Sequence, residues 1–166
     1  MSLSGKPSLT TLAPLSNDSF WPDLAMSALV EKYRIPPEYA DNVIETGLVL
    51  AMIRVNEQLN PVKLAIEGLG FQTLDGYTDA HILLINNTPV LLTHYQHAVF
   101  CFAKAFLLKQ FNSLNRKAEA ESAAKESEQT EQFWLDQSQA SIKSLFGVVL
   151  PNEAIASQAN VYVAAL

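Results

Sequence analysis

Residues 89–111 read PVLLTHYQHAVFCFAKAFLLKQF, and this stretch is the natural spine of the chain. After the opening proline, fifteen of the next twenty-two residues are apolar, and they recur at helical spacing but spread well past one face. We therefore expect a helix buried on more than one side, with Thr88 as its cap and Pro89 at its first position. Four polar residues near its middle argue against a membrane span, namely His94, Gln96, His97 and Lys104. The burial must therefore come from protein, either this chain or another copy.

The composition fits a single domain with its own core. The chain has 166 residues, of which 49% are hydrophobic, and its net charge is -6. The acidic balance argues against a general nucleic-acid binder, because affinity for phosphates depends on clustered Lys and Arg. Cys101 is the only cysteine, so neither a disulfide framework nor a cysteine metal pair is possible. Residues 1–16 lack the apolar core of a signal peptide, and we expect a cytoplasmic product.

The first part of the chain predicts an arm followed by a short helix. Residues 1–16 mix Ser, Thr, Pro and Gly with spaced leucines, which is typical of an extended arm. Pro22 and Asp23 suit the first turn of a helix that runs to about Tyr33. The two aromatic residues directly before Pro22 are expected to enter the core.

Residues 37–59 predict a second long helix with one continuous apolar face. Three further apolar residues, Val49, Leu50 and Ile53, lie off that face. We expect them to contact a second layer or a neighbouring subunit. Gly47 costs about 1 kcal/mol relative to Ala inside a helix, which indicates the close approach of another helix.

The middle of the chain alternates between helix and turn signals. Asn60 and Pro61 can cap a further turn or kink the helix, and residues 62–69 continue helically. Over residues 70–88 the helical period is lost, and Gly, Asp and Asn mark turns. Residues 81–85, HILLI, fit either a short strand or a loop.

The last third predicts a largely solvated helix. Residues 112–115 are typical of a tight reversal, after which residues 116–146 form a helix that Gly147 ends. Between Lys117 and Asp136 there are six acidic residues and two lysines, which indicates that most of the helix surface is exposed to solvent. Its packed half is therefore expected at the C-terminal end, where the strong anchors are Phe133, Trp134, Ile142, Leu145 and Phe146.

The chain closes on an apolar tail. Val161, Tyr162 and Val163 alternate after a polar stretch, a pattern that suits an added strand or an extended segment. Together the patterns predict an all-α fold, a helical bundle of about four helices. Its parts are a flexible arm over residues 1–16, the helical domain over residues 17–147, and a tail over residues 148–166 that can form a short strand.

No group of residues carries the chemistry of an enzyme. His94 and His97 share a helix face, but a metal site needs more ligands, so we interpret one as packed or hydrogen-bonded and the other as exposed. Cys101 stands between two phenylalanines, where burial raises a thiol pKa, and it is interpreted as a core residue. Asp75 and Asp79 lack the bidentate Glu of a calcium loop and are interpreted as turn formers. We expect no enzymatic activity, no cofactor and no metal.

Four segments carry a resemblance. They are FWPDL at 20–24, AMIRVNEQL at 51–59, GFQTL at 70–74 and YQHAVFCFAKAFL at 95–107. In order and approximate spacing they resemble the head completion proteins of contractile-tailed temperate bacteriophages, the GPL family, over residues 17–147. The residues that carry it are Phe20, Trp21, Pro22, Asp23, Ala51, Met52, Ile53, Val55, Asn56, Leu59, Gly70, Thr73, Leu74, Tyr95, Ala98, Val99 and Ala103, and none is catalytic. The closing NVYVAAL is similar to the short apolar terminal strand of that family. The Asn60–Pro61 break and a longer polar stretch before that strand depart from its pattern.

The resemblance implies a structural protein of a phage or prophage. Such proteins bind the portal vertex after DNA packaging, complete the head and provide the platform for neck or tail-completion proteins. They resemble small helical adaptors that assemble as rings, typically dodecamers on the portal, although a single chain in isolation can be monomeric. Packaged DNA would pass through without sequence-specific binding, and no membrane is implied. The implied location is the head–tail junction of the virion, with the host bacterial cytoplasm as the place of assembly.

Several features of the residues fit that picture. The surplus apolar surface at Val49, Leu50 and Ile53 predicts a subunit contact. The acidic helix suits a channel through which DNA slides. The tail residues expected to dock on the portal or a neighbour are Val161, Tyr162, Val163 and Leu166. Two other classes are a soluble helical binding or regulatory module, for which a basic DNA-reading helix should exist, and a small hydrolase that uses one of the two spine histidines.

Overall fold

The computed structural model describes residues 13–36, 39–114 and 120–150, and the side chains of residues 13–36, 39–110 and 130–150. Within these residues the chain is mainly helical with one two-stranded antiparallel hairpin, which confirms the predicted all-α class. The elements in chain order are α1 (Met26–Tyr33), α2 (Asp41–Gln58), α3 (Asn60–Gly68), α4 (Leu74–Ala80), β1 (Leu84–Ile85), β2 (Thr88–Pro89), α5 (Val90–Leu114) and α6 (Ala120–Val149). Six helices are described rather than about four, because α3 and α4 are separate short helices.

Helix α5 is the centre of the bundle, as its apolar surplus predicted. It packs against α6 on one side and α2 on another. Its buried residues are Leu91, Tyr95, Ala98, Val99, Phe100, Cys101, Ala103, Ala105 and Leu107. Burying a large apolar side chain contributes about 1.5–3 kcal/mol, so this one helix supplies much of the core. None of the described helices combines the length and apolarity that crossing a bilayer requires.

The start of α5 differs from the prediction. Thr88 and Pro89 are not its cap and first residue, because they form β2 and pair with Leu84–Ile85. Asn86 and Asn87 both have left-handed φ angles, of 50° and 56°, which is the geometry of a tight two-residue hairpin turn. The predicted Asn turn is therefore confirmed, and it holds the next two residues extended so that the helix begins at Val90.

Helices α5 and α6 run antiparallel with a register fixed by two contacts. The Ser138 hydroxyl donates to the Ala98 carbonyl at 2.8 Å, and Lys109 Nζ lies 3.6 Å from Glu131 Oε1. The C-terminal end of α6 therefore lies beside the N-terminal end of α5. The predicted reversal at 112–115 is wrong for residues 112–114, which belong to α5, and residue 115 lies outside the described residues.

Gly147 does not end α6, contrary to the prediction. The helix continues to Val149, and the neighbouring Phe146, Val149 and Leu150 are partly buried against the core. A helical glycine costs about 1 kcal/mol relative to alanine, and this packing offsets it. The packed half of α6 is C-terminal as predicted, since Ile142 and Leu145 are buried, but the predicted anchor Phe133 is 52% exposed.

Helix α1 begins later than predicted because the residues before it form other contacts. Leu15 and Leu24 exchange two backbone hydrogen bonds of 2.9 and 3.1 Å, which holds the strand-like segment extended. Asp23 accepts the Asn17 backbone N–H at 2.9 Å instead of serving a helix start. The helix therefore starts at Met26, and residues 1–12 of the predicted arm lie outside the described residues.

Helix α2 starts at Asp41 rather than residue 37, and a new helix follows directly at Asn60. Of the two alternatives for Asn60–Pro61, the further helix is correct, but its cap is Leu59 rather than Asn60, and proline lies in the first turn, where its missing N–H costs little. Gly47 meets α5 as expected. A Cβ atom on it would lie 3.2 Å from Phe106 Cδ1 and 3.3 Å from Leu107 Cδ2.

The connection over residues 70–88 contains a helix that the sequence pattern missed. Thr73 caps α4 by accepting the Gly76 N–H at 3.0 Å. Asp75 and Asp79 lie within this helix, so their interpretation as turn formers is wrong. The helix is only two turns long, and a glycine and two aspartates in it weaken the local helical signal.

Candidate functional site

The segment before α1 is joined to the bundle by stacked aromatic rings. The rings of Trp21 and Tyr95 are nearly parallel, at 5°, with centroids 4.7 Å apart, and Phe20 meets Trp21 edge to face at 4.8 Å. All three are buried, with Phe20 and Trp21 each 2% exposed. Such pairs contribute about 0.5–1.5 kcal/mol beyond their burial. The aromatic residues of the FWPDL segment therefore have a structural role.

A closed set of hydrogen bonds surrounds the same place, and we call it the Asn17–Asn56–Tyr95 triangle. The Tyr95 hydroxyl donates to Asn56 Oδ1 at 2.8 Å and accepts from Asn17 Nδ2 at 2.7 Å. Asn56 Nδ2 donates to Asn17 Oδ1 at 2.9 Å. Burial raises the pKa of Tyr95 above its usual value, so the hydroxyl stays a donor. The triangle joins the N-terminal segment to α2 and α5.

Asp18 extends this junction to α3. Its Oδ1 atom accepts the Trp21 backbone N–H at 3.1 Å, and its Oδ2 atom receives Lys63 Nζ at 2.8 Å. Lys63 also lies 5.3 Å from the centroid of the Phe20 ring. Pro22 contributes its carbonyl, which accepts Asn17 Nδ2 at 3.0 Å. These contacts position backbone and leave no side chain arranged for catalysis.

The other motif residues divide between interior and surface. Ala51, Met52 and Val55 of α2 are buried, as are Ala98 and Val99 of α5. Three apolar residues of α2 point away from that interior, with Val49 39%, Leu50 40% and Ile53 48% exposed. Since they are spaced three and four residues apart, they form one contiguous patch, which we call the α2 strip.

A second exposed apolar group was not foreseen from the sequence. Ile82 is 72% exposed, Leu83 and Leu84 are each 49%, and Ile85 is 71%. We call residues 82–85 the hairpin edge. The sequence left strand and loop open for this run, and it gave no indication of exposure, because four consecutive apolar residues are more typical of a buried strand. The Asn pair directly after the run was the one signal for a hairpin.

The spine histidines line a groove between α1, α5 and α6 of about 470 Å³. His97 Nδ1 lies 2.5 Å from the Tyr33 hydroxyl, and the Cys101 sulfur lies 3.5 Å from His97 Nε2. Lys104 Nζ donates to the Tyr33 carbonyl at 2.5 Å and lies 4.3 Å from the Trp134 ring centroid. His97 is hydrogen-bonded as expected for one of the two histidines, but both are half-buried, which differs from the expectation that the other would be exposed.

The electrostatics of this groove do not support nucleophilic catalysis. Burial raises the pKa of the Cys101 thiol to about 12, although Lys104 opposes the shift, so the sulfur is a thiol at neutral pH. Cys101 is also 0% exposed, and a substrate cannot reach it. Burial and the neighbouring His94 lower the pKa of His97. Among the described residues, no group of three His, Cys, Asp or Glu side chains could hold a metal ion.

Two of the predicted functional regions fall largely outside the described side chains. Of the acidic residues of α6, Glu131 contacts Lys109, and Asp136 accepts from Gln132 at 2.8 Å. The acidic residues before position 130 and the tail residues Val161, Tyr162, Val163 and Leu166 are not among the described side chains. Their predicted roles stay predictions.

These features define a class of protein: a helical scaffold whose buried motif residues hold the fold and whose exposed apolar surface points outward. The chain belongs to the phage head completion protein (GPL) family, whose model matches residues 15–150. This family is structural, and membership supports a structural role in phage head assembly.

A curated relative agrees with the family. The chain is 30% identical over 101 residues to a protein of Haemophilus phage HP1 (strain HP1c1) named "Probable head completion/stabilization protein". The aligned part covers 61% of this chain and 65% of the relative, so the chain spans slightly less than two thirds of that protein. No solved structure matches the chain.

Proposed function

We propose that this chain is a head completion adaptor that binds the portal vertex after DNA packaging. It acts as an oligomeric ring, closes the head and provides the attachment platform for neck or tail proteins. It works by binding and geometry, without enzymatic activity. Family membership supports the role in head completion, and one structural observation supports the oligomer, namely the outward-facing α2 strip.

The α2 strip has the properties of a subunit contact. Val49, Leu50 and Ile53 lie on one long helix whose opposite face is held on α5, so they form a rigid surface. The exposed Arg54–Glu57 ion pair, at 3.3 Å, borders the strip with charge. Exposed apolar patches with polar rims are typical of protein interfaces. A ring needs two different contact surfaces on each subunit, and the strip supplies one of them.

The charge of the chain suits the proposed position on the DNA path. A net charge of -6 repels phosphate, so DNA can pass a ring of such subunits without being retained.

The tail, through Val161, Tyr162, Val163 and Leu166, docks on the portal or on a neighbouring subunit. A truncated variant that tests this docking must keep residue 150 and lack only residues 151–166, because Val149 and Leu150 pack against the core.

Leu50→Asp tests the strip directly. A buried unpaired charge at an interface costs several kcal/mol, so the variant is expected to lose ring formation on purified portal. Its free energy of unfolding should stay within about 0.5 kcal/mol of the wild-type value, because Leu50 is at the surface of the subunit. Asn42→Asp, two turns earlier on the exposed side of α2, is the matched control and should assemble normally. Electron microscopy of each variant mixed with portal measures whether rings form. Normal rings from Leu50→Asp would contradict the proposed contact.

A further inference from the structure

We infer that the tail of this chain, through Val161–Val163, pairs as a third strand along the free edge of β1 in the isolated subunit. The inference does not depend on the proposed function, and it assigns an occupant to the hairpin edge. It goes beyond that function because the same tail would have to leave the hairpin before it could dock elsewhere.

The hairpin offers one usable edge. In the register Ile85↔Thr88, these residues flank the turn and hydrogen-bond to each other, so the backbone N–H and C=O of Leu84 point to the opposite side. Among the described residues the sheet has only these two strands, and no described strand covers that side. The outer edge of β2 is blocked, because Pro89 stands opposite Leu84 and has no N–H to donate. A strand can therefore add next to β1 but not next to β2.

The hairpin also has too few strands and too much exposed apolar surface to be stable by itself. A two-stranded hairpin is marginally stable by itself, and three strands with apolar contact are normally needed. Successive residues point to opposite faces of a strand, so the exposed Ile82–Ile85 run is apolar on both faces. Val161 and Val163 would share one face and Tyr162 would occupy the other, so the tail is apolar on both faces as well. Both segments are short and apolar, which suits the addition of a strand at a sheet edge.

The path of the chain brings the tail to this place. Residues 98 and 109 of α5 lie opposite residues 138 and 131 of α6, and extending this antiparallel register places Leu150 at the N-terminal end of α5, level with the end of the hairpin. Packed helices lie about 8–10 Å apart, so the described chain leaves α6 near the point where β2 joins α5. Residues 151–160 can span at most about 33 Å when extended, which is ample for this distance. The short link gives the tail a high effective concentration at its own hairpin.

Amide hydrogen exchange of the purified full chain tests the inference. The Leu84 amide is expected to be protected, and Tyr162→Pro should make it exchange at least about tenfold faster, because proline removes a strand hydrogen bond and its ring disfavours pairing. Ser157→Pro, within the link, is the matched control and should leave Leu84 protected. Core amides such as that of Ala98 should stay protected in all three proteins, which shows that the bundle is folded.

Varying the protein concentration distinguishes a strand supplied by the chain's own tail from one supplied by a second copy. Protection by the chain's own tail is independent of protein concentration, and the protein sediments as a monomer under the same conditions. Protection that falls on dilution would assign the strand to a second copy and overturn the inference. An unprotected Leu84 amide in the full chain, or equal protection in wild type and Tyr162→Pro, would also overturn it. None of these results depends on portal binding, so the proposed function is tested separately.

Discussion

The indole ring of Trp21 lies flat on the phenol ring of Tyr95, with centroids 4.7 Å apart and 5° between the ring planes. Trp21 comes from the segment before α1, and Tyr95 comes from the early part of α5. The Tyr95 hydroxyl also completes the Asn17–Asn56–Tyr95 triangle. One tyrosine therefore joins three separate parts of the chain, by its ring and by its hydroxyl.

Tyr95→Phe keeps the stack but removes the hydroxyl. Asn17 and Asn56 would each lose a partner in a partly buried place, and we expect the free energy of unfolding to fall by about 1–3 kcal/mol. Urea denaturation measures the change. Tyr77→Phe is the control, because the Tyr77 hydroxyl hydrogen-bonds to no described residue, and its cost should be below about 0.5 kcal/mol. Equal effects of the two substitutions would contradict the importance of the triangle.

The two glycines within α2 and α6 should respond differently to alanine. Gly147 has nothing within 4 Å of an added Cβ, so Gly147→Ala is expected to raise the free energy of unfolding by about 0.5–1 kcal/mol. At Gly47 the new Cβ would press on Phe106 and Leu107 at 3.2–3.3 Å, so Gly47→Ala should raise the free energy of unfolding by less than Gly147→Ala does. Gly47→Leu should lose about 1–3 kcal/mol by overpacking. Thermal unfolding of the three variants checks the order, and a stabilised Gly47→Leu would refute the close approach.

The half-buried His97 should make the protein less stable in acid. Its pKa is lowered in the folded state by burial and by His94, whereas in the unfolded chain it is about 6.5. Below that pH the unfolded state binds a proton that the folded state does not, so the free energy of unfolding falls as pH drops through about 6.5 and levels off below the lowered pKa. Urea unfolding between about pH 5 and 8 should show a smaller fall for His97→Gln. A fall as large as that of wild type would show that His97 does not contribute.

Cys101 should be chemically inert in the folded protein. Its thiol is buried, and its pKa is raised to about 12. Its reaction with a thiol-specific reagent at neutral pH is expected to be more than about a hundredfold slower than in urea, where the thiol regains its ordinary pKa. The rate of colour release from an aromatic disulfide reagent measures this. Comparable rates in the two conditions would contradict the burial and revive the possibility of a reactive cysteine.

The strongly apolar segments were predictable, and the segments governed by local hydrogen bonds were not. The spine helix could be inferred because its apolar surplus leaves few alternatives to burial, and Gly47 correctly indicated a close helix contact. The starts of α1 and α5 were predicted wrongly. In both cases proline was interpreted as a helix start, but local backbone pairing, of Leu15 with Leu24 and of Thr88 with Ile85, held the chain extended.

The candidate surfaces show the same division. The α2 strip followed from helical periodicity, because three apolar residues could not fit on the buried face. The hairpin edge did not, since an apolar run of four residues reads as buried unless its neighbours are known. The roles of Asn17 and Asp18 were also missed, because their partners at 56, 63 and 95 are distant in sequence and polar residues before a helix are common.

The position proposed for this chain is the portal vertex after DNA packaging. Quantitative mass spectrometry of purified phage particles tests it directly, with the portal protein as the internal standard. We expect this chain in DNA-filled heads in a fixed ratio to portal, and we expect it to be absent from empty precursor heads. Equal amounts in filled and empty heads, or its absence from filled heads, would contradict this position.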